Sequence, residues 1–205
     1  MGAKTSQDQA REIMGKNFIG IKEVERLFSV KLSPEQFRMW GNLQLPSKIL
    51  EDKRDTHLLA LNPEFSILKI SKMVKEIETE KEKMFFKSKV ENLQNQPFIL
   101  KMEPGWFLLE IEGIKDSNKL IFDEQKKFIK EGENIPSVNQ VVYGAMAYYL
   151  LTKKRLFQKY YVRTSSKNSD GTPIVAGLFD ERGMDIAAYP SHVKLNTVYV
   201  ISSII

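Results

Sequence analysis

The stretch over 136–189 constrains the fold more than any other part of the chain. After Pro136, apolar side chains recur with the spacing of one helical face and predict a helix over 137–154. These side chains are Val138, Val141, Val142, Ala145, Met146, Tyr149 and Leu150. The opposite face of this helix is only weakly polar, so we expect protein to cover both of its sides.

Strand-like segments follow this helix. Residues 160–165, 173–179 and 184–189 are rich in β-branched and aromatic side chains, which favour strands. Turn sequences separate the three segments, with Asp170-Gly171 before the second and Gly183 before the third. A helix, a strand and a β-hairpin are therefore expected in succession.

Further elements are predicted along the rest of the chain. Amphipathic spacing favours helices over 21–28, 34–40 and 122–129, and Ser33 is placed to cap the second of them. Short apolar runs predict strands near 57–61, 106–112 and 197–202, whereas 65–96 is ambiguous between helix and strand.

Together these elements predict a single α+β domain over 1–205. We expect a mostly antiparallel sheet with the long helix over 137–154 packed on it. The helical N-terminal part, over about 1–45, could form a sub-domain. With 205 residues and 42% hydrophobic residues, the chain is long and apolar enough to bury a core.

Composition and missing motifs exclude several functional classes. Because the chain has no cysteine, disulfides, thiolate nucleophiles and cysteine-based metal sites are excluded. The sequence shows no signal peptide and no long uncharged apolar run, so we expect a cytoplasmic protein without membrane contact. Phosphate-binding glycine motifs and a nucleophile elbow are also missing, so we assign no cofactor, metal or catalytic residue.

The chain contains two histidines, and neither predicts catalysis. His57 opens a short apolar run, where a structural or surface histidine is the commoner case, and His192 has the setting of a loop residue. A Ser–His–acid triad would have to be built from one of them.

Charge is unevenly distributed and supports the leading functional hypothesis. The net charge is +5, and no acidic residue occurs between Asn134 and Ser169. This acid-free segment predicts a basic face that binds an anionic partner, either nucleic acid or an acidic protein surface. The face would comprise Lys153, Lys154, Arg155, Lys159, Tyr161, Arg163 and Lys167. The same residues have a simpler interpretation as a solvated helix end, because a helix C terminus favours nearby cations.

Two other functions remain open from the sequence. The first is an enzyme with a dispersed polar site near the C-terminal hairpin, whose candidate residues are Arg163, Ser165, Ser166, Asp180 and Arg182. The second is a helix-turn-helix DNA-binding regulator built from the helices over 21–28 and 34–40, with Gln36 and Arg38 as the polar residues offered to a groove. A simple packing hairpin is the commoner role of such a helix pair.

Several short stretches together resemble an uncharacterised family of bacterial hypothetical proteins that is common in metagenomic sequence. They are Gly15-Lys-Asn-Phe18, Asp55-Thr-His-Leu-Leu-Ala60, Phe65-Ser-Ile-Leu68, Arg155-Leu-Phe157, Tyr161-Val-Arg-Thr-Ser-Ser166 and Gly177-Leu-Phe-Asp180. The resemblance implies a bacterial origin and one shared fold. It transfers no activity and no functional residue.

Overall fold

The computed structural model describes residues 5–76, 78, 83–85, 93–101 and 103–205, and its fold is α+β, as predicted. The helices are α1 (Gln7–Met14), α2 (Ile21–Phe28), α3 (Pro34–Trp40), α4 (Ser47–Lys53), α5 (Ile67–Lys75), α6 (Pro97–Leu100), α7 (Phe122–Gln125) and α8 (Val138–Thr152). Part of the ambiguous stretch over 65–96 thus forms α5, and much of the remainder lies outside the described residues.

The predicted strands are divided between two four-stranded sheets. The strands are β1 (Thr5–Ser6), β2 (Phe18–Ile19), β3 (Asn42–Leu43), β4 (His57–Asn62), β5 (Gly105–Glu110), β6 (Tyr161–Lys167), β7 (Pro173–Asp180), β8 (Gly183–Ala188), β9 (Val198–Tyr199) and β10 (Ser203–Ile204). One sheet has the order β10-β5-β4-β2 and the other β8-β7-β6-β9, while β1 and β3 form a separate pair. The β2–β4 and β6–β9 pairs are parallel, and the other pairs are antiparallel.

Helix α8 packs against strands of both sheets, namely β4 and β5 of the first and β6 and β7 of the second. Every residue of the helix from Val138 to Tyr149 is buried, so protein covers both of its sides, as its weak polarity predicted. Gly144 permits this close approach, because a Cβ atom at its position would lie 2.7 Å from the Leu109 Cδ2 atom of β5.

Local sequence signals fix both ends of α8. At the N terminus, Ser137 Oγ accepts a hydrogen bond from the Gln140 amide, and the Gln140 side chain accepts one from the Ser137 amide. This reciprocal capping box satisfies donors that the first helical turn leaves unpaired. At the C terminus, Lys153 adopts a left-handed conformation with a φ of 60°, which ends the helix.

The prediction of a single strand over 197–202 is wrong. Val198 and Tyr199 pair with β6 in one sheet, whereas Ser203 and Ile204 pair with β5 in the other. The intervening chain crosses between the sheets, so Val200 and Ile201 are both fully buried. Burial on every side removes the alternation by which a half-exposed strand is recognised.

None of the helices in the described ranges is both long enough and apolar enough to cross a membrane.

Candidate anion-binding surface

Four of the predicted basic residues lie together where α8 ends, and we call Lys153, Lys154, Arg155 and Lys159 the basic end. The three lysines are exposed and Arg155 is half-buried. The free carbonyl groups of a helix C terminus favour positive charge at this position. Helix electrostatics therefore contributes to the preference for cations there, and a role of these residues in binding stays a prediction.

Arg155 is held in place by aromatic rings. The carbon of its guanidinium group lies 4.5 Å from the centroid of the Tyr149 ring and 5.3 Å from that of Phe179, distances at which a cation is attracted to an aromatic face. Its Nε and Nη2 atoms are buried and have no hydrogen-bond acceptor among the residues that the structure describes. Such donors are uncommon in folded proteins, because an unpaired buried polar group costs free energy.

Two grooves meet at Arg155 and Lys159. The first has a volume of about 510 Å³ and is also lined by Tyr160, Tyr199 and Glu112. The second, of about 420 Å³, runs past Arg182, a residue that the sequence predicts for the alternative polar site. Gln158 lines both grooves as well.

The acidic residues beside the second groove are Asp180 and Glu181. Arg182 Nη2 lies 2.6 Å from Asp180 Oδ2, and the hydrogen bond from Arg182 lowers the pKa of Asp180 below its ordinary value. Asp180 is therefore ionised and paired. Arg155, Lys159 and Arg182 line the two grooves together with Asp180, Glu181 and Glu112, and the exposed Lys153 and Lys154 directly precede Arg155 in the chain.

The placement of Arg163 on an exposed basic face is wrong, because its side chain is 0% exposed. Each of its three side-chain nitrogen groups donates a hydrogen bond: Nε to Gln125 Oε1, Nη1 to the Tyr189 carbonyl and Nη2 to the Val193 carbonyl. Arg163 thus ties β6 to α7 and to the segment before β9.

Tyr161 and Lys167 also lie away from the basic end. Tyr161 is 6% exposed, and its hydroxyl donates a hydrogen bond to Asp185. Lys167 is exposed but lies at the opposite end of β6, on the order of 20 Å from Tyr161 for a strand of this length. Only part of the predicted basic face is therefore one continuous surface.

The alternative polar site is not assembled in one place. Arg163 pairs with Val175 in the β6–β7 ladder, so Ser165 lies beyond that point in one direction and Asp180 in the other. At the spacing of residues in a strand they are on the order of 20 Å apart. Ser166 Oγ accepts a hydrogen bond from the Val138 amide, next to the N terminus of α8.

The helix pair α2 and α3 forms as predicted, and the exposed side chains of α3 include two large apolar residues. Phe37 and Met39 are 43% and 55% exposed. Gln36 is part of the capping box with Ser33, and Arg38 Nε donates to the carbonyl of Pro34 in the same helix. The regulator hypothesis remains a prediction that these contacts do not strengthen.

A buried polar cluster around His57 was not foreseen. His57 Nε2 lies 3.2 Å from Ser202 Oγ, which in turn lies 3.1 Å from Glu110 Oε2. His57 Nδ1 lies 2.9 Å from Thr56 Oγ1, so the carboxylate contacts the serine and a hydroxyl contacts the imidazole. This order differs from that of a catalytic triad, in which the acid orients the imidazole.

The environment of His57 keeps its imidazole neutral. The side chain is 2% exposed, and burial together with the nearby charge of Lys53 lowers its pKa from 6.5 to about 4. Burial has the opposite effect on Glu110, whose pKa is raised. The structural role that the sequence favoured for His57 agrees with this burial. Ser202 could not be identified as its partner, because the two are 145 residues apart in the chain.

Comparison of the chain with models of protein families, with curated proteins and with solved structures gives no significant match.

Proposed function

We propose that the protein is a non-catalytic binding protein that holds an anionic partner, a single-stranded nucleic acid, at its basic end. The observation that carries the proposal is that Arg155 and Lys159 line both grooves, with the exposed Lys153 and Lys154 directly before Arg155 in the chain. Phosphate groups could pair with these cations and release the counterions that surround a nucleic acid, which drives association at low salt.

Aromatic side chains favour nucleic acid over an acidic protein surface. Tyr160 and Tyr199 line the same groove as Arg155 and Lys159, and their ring centroids are 4.8 Å apart. A positively charged groove with aromatic rings along it is the usual arrangement for binding single strands, because bases stack on the rings while cations follow the phosphates.

The proposal is tested by fluorescence anisotropy with a labelled oligothymidylate and, separately, a labelled polyglutamate peptide of equal charge. We expect the oligonucleotide to bind at low ionic strength, with log K falling by about 2 to 3 for each tenfold rise in salt if four cations contact phosphates. Lys154→Glu combined with Lys159→Glu should weaken binding at least about tenfold. Lys16→Glu reverses an exposed charge in another part of the chain and serves as the matched control.

Three results would contradict the proposed binding of a single-stranded nucleic acid at the basic end. If neither polymer binds at low salt, the proposal fails. Tighter binding of the peptide would replace the nucleic acid with an acidic protein partner. If Arg38→Glu removes oligonucleotide binding and the double variant does not, the contact lies on α3 and the regulator hypothesis takes its place.

A further inference from the structure

A separate cavity, of about 670 Å³, lies beside the N terminus of α8. Its apolar wall is formed by Trp106, Phe107, Ile129, Ile135 and Ile205. Pockets of a few hundred cubic ångströms with mostly apolar walls and a few polar groups are typical of small-molecule sites. The dimensions of this cavity therefore suit a small organic ligand.

The charged groups on the cavity wall favour a cationic ligand. Two carboxylates, Glu103 and Glu133, line the cavity. The lysine on the wall, Lys126, is directed elsewhere, because its Nζ atom lies 2.7 Å from Asp123 Oδ1 and 4.8 Å from the centroid of the Phe122 ring. In a chain of net charge +5, this cavity thus has carboxylates where the basic end has cations.

The two carboxylates differ in how firmly they are paired. Glu133 is 8% exposed and lies 2.6 Å from Lys53 Nζ. Although burial opposes its ionisation, the hydrogen bond and charge of Lys53 hold the pKa of Glu133 below its ordinary value. Glu133 is therefore ionised but already neutralised by a partner that is largely buried.

Glu103 is the carboxylate that a ligand can reach most readily. One of its oxygens accepts a hydrogen bond from Ser137 Oγ, which fixes the side chain at the start of α8. The other lies 2.7 Å from Nζ of Lys101, a side chain that is 64% exposed. Surface ion pairs of this kind contribute little stability, so a ligand ammonium group could replace Lys101 at small cost.

We propose that this cavity binds a small primary amine with an aromatic or branched aliphatic body. The ammonium group pairs with Glu103, and the apolar body packs against the wall that contains Trp106 and Phe107. Cations are also attracted to the face of a tryptophan ring, which adds to the preference for an amine. This site lies at the opposite end of α8 from the basic end and does not depend on the function proposed there.

The test is a titration of the ¹⁵N-labelled full chain, without nucleic acid, with three probes of similar shape. The probes are 3-phenylpropan-1-amine, 3-phenylpropan-1-ol and 3-phenylpropionate. We expect the amine to shift the Trp106 indole N–H signal. The alcohol should bind at least about tenfold more weakly, because it loses one charged pair. The carboxylate should bind more weakly still.

Glu103→Gln tests the assigned carboxylate. Glutamine can still accept the hydrogen bond from Ser137, so we expect the fold to be kept and the preference for the amine over the alcohol to fall below about twofold. Glu12→Gln, which removes an exposed carboxylate on α1, is the matched control. Equal binding of all three probes, absence of binding, or an unchanged preference in Glu103→Gln would each overturn the proposal.

Discussion

Arg155 and Arg163 come from the same acid-free segment of the sequence, yet they lie in opposite environments. Arg163 is fully buried, and all three of its nitrogen groups donate hydrogen bonds to neutral acceptors. Arg155 is half-buried on two aromatic rings, and two of its nitrogen atoms have no acceptor among the described residues. Hydrogen bonds from all three nitrogen groups indicate a structural role for Arg163, whereas Arg155 lies beside two grooves and next to exposed lysines, as expected of a surface that binds a ligand.

The largest loss of stability is expected when the side chain of Arg163 is replaced. We expect Arg163→Met to lower the free energy of unfolding by about 4 kcal/mol, because three acceptors lose their donor and relief of the buried charge offsets this only in part. Urea denaturation measures the change. Lys167→Met, at the exposed end of the same strand, should change stability by less than about 0.5 kcal/mol. Similar values for the two variants would show that Arg163 is not a structural tie.

The free energy of unfolding should also depend on pH, because His57 is buried in its neutral form, whereas Arg163 is buried as a cation. The folded state lowers the pKa of His57 from 6.5 to about 4, so the unfolded chain binds more protons between these values. The free energy of unfolding should therefore be highest above about pH 6.5 and decrease by about 3 kcal/mol as the pH falls to about 4.

His57→Gln separates this effect from those of other groups. Glu110 has the opposite effect on the pH dependence of stability, since its raised pKa makes protonation favourable in the folded state. Glu110 is present in both the parent and His57→Gln. The difference between the stability curves of the parent and His57→Gln should follow the protonation of His57. A difference that stays constant from neutral pH to about pH 4 would contradict the assignment.

The smallest effect on stability is expected at Arg155. Arg155→Met loses the attraction to the Tyr149 ring but also removes two unpaired buried donors, so the free energy of unfolding should change by less than about 1 kcal/mol. Oligonucleotide affinity should nevertheless fall about fivefold and recover in Arg155→Lys, which keeps the charge. Large destabilisation by Arg155→Met would instead place Arg155 in the same structural class as Arg163.

Much of the fold followed from short-range sequence patterns. The extent of α8 was predicted to within about two residues, because its apolar periodicity and the Ser137 cap are local properties. The hairpin of β7 and β8 was predicted for the same reason, from a turn between two apolar runs. The capped start of α3 at Ser33 followed in the same way.

These short-range patterns could not predict that the strands divide into two sheets. Strand pairing depends on contacts between distant parts of the chain, such as Ser203 with Leu109. The burial of Arg163 depends on coverage by α7 and by the segment around Tyr189 and Val193. Arginine is mostly exposed in proteins, so its sequence context gave no signal of a buried position.

Short-range patterns in the sequence predicted α2, α3, α8, the strands from β4 to β8 and the excess of positive charge near the end of α8, because periodicity, capping and charge are encoded within a few residues. Which of those charged side chains are exposed to solvent depends on the tertiary structure. It placed Arg163 inside, left Lys153, Lys154 and Lys159 outside, and brought Glu103 to the start of α8. The physical reason is that burial and pairing are set by segments far apart in the chain that fold against one another.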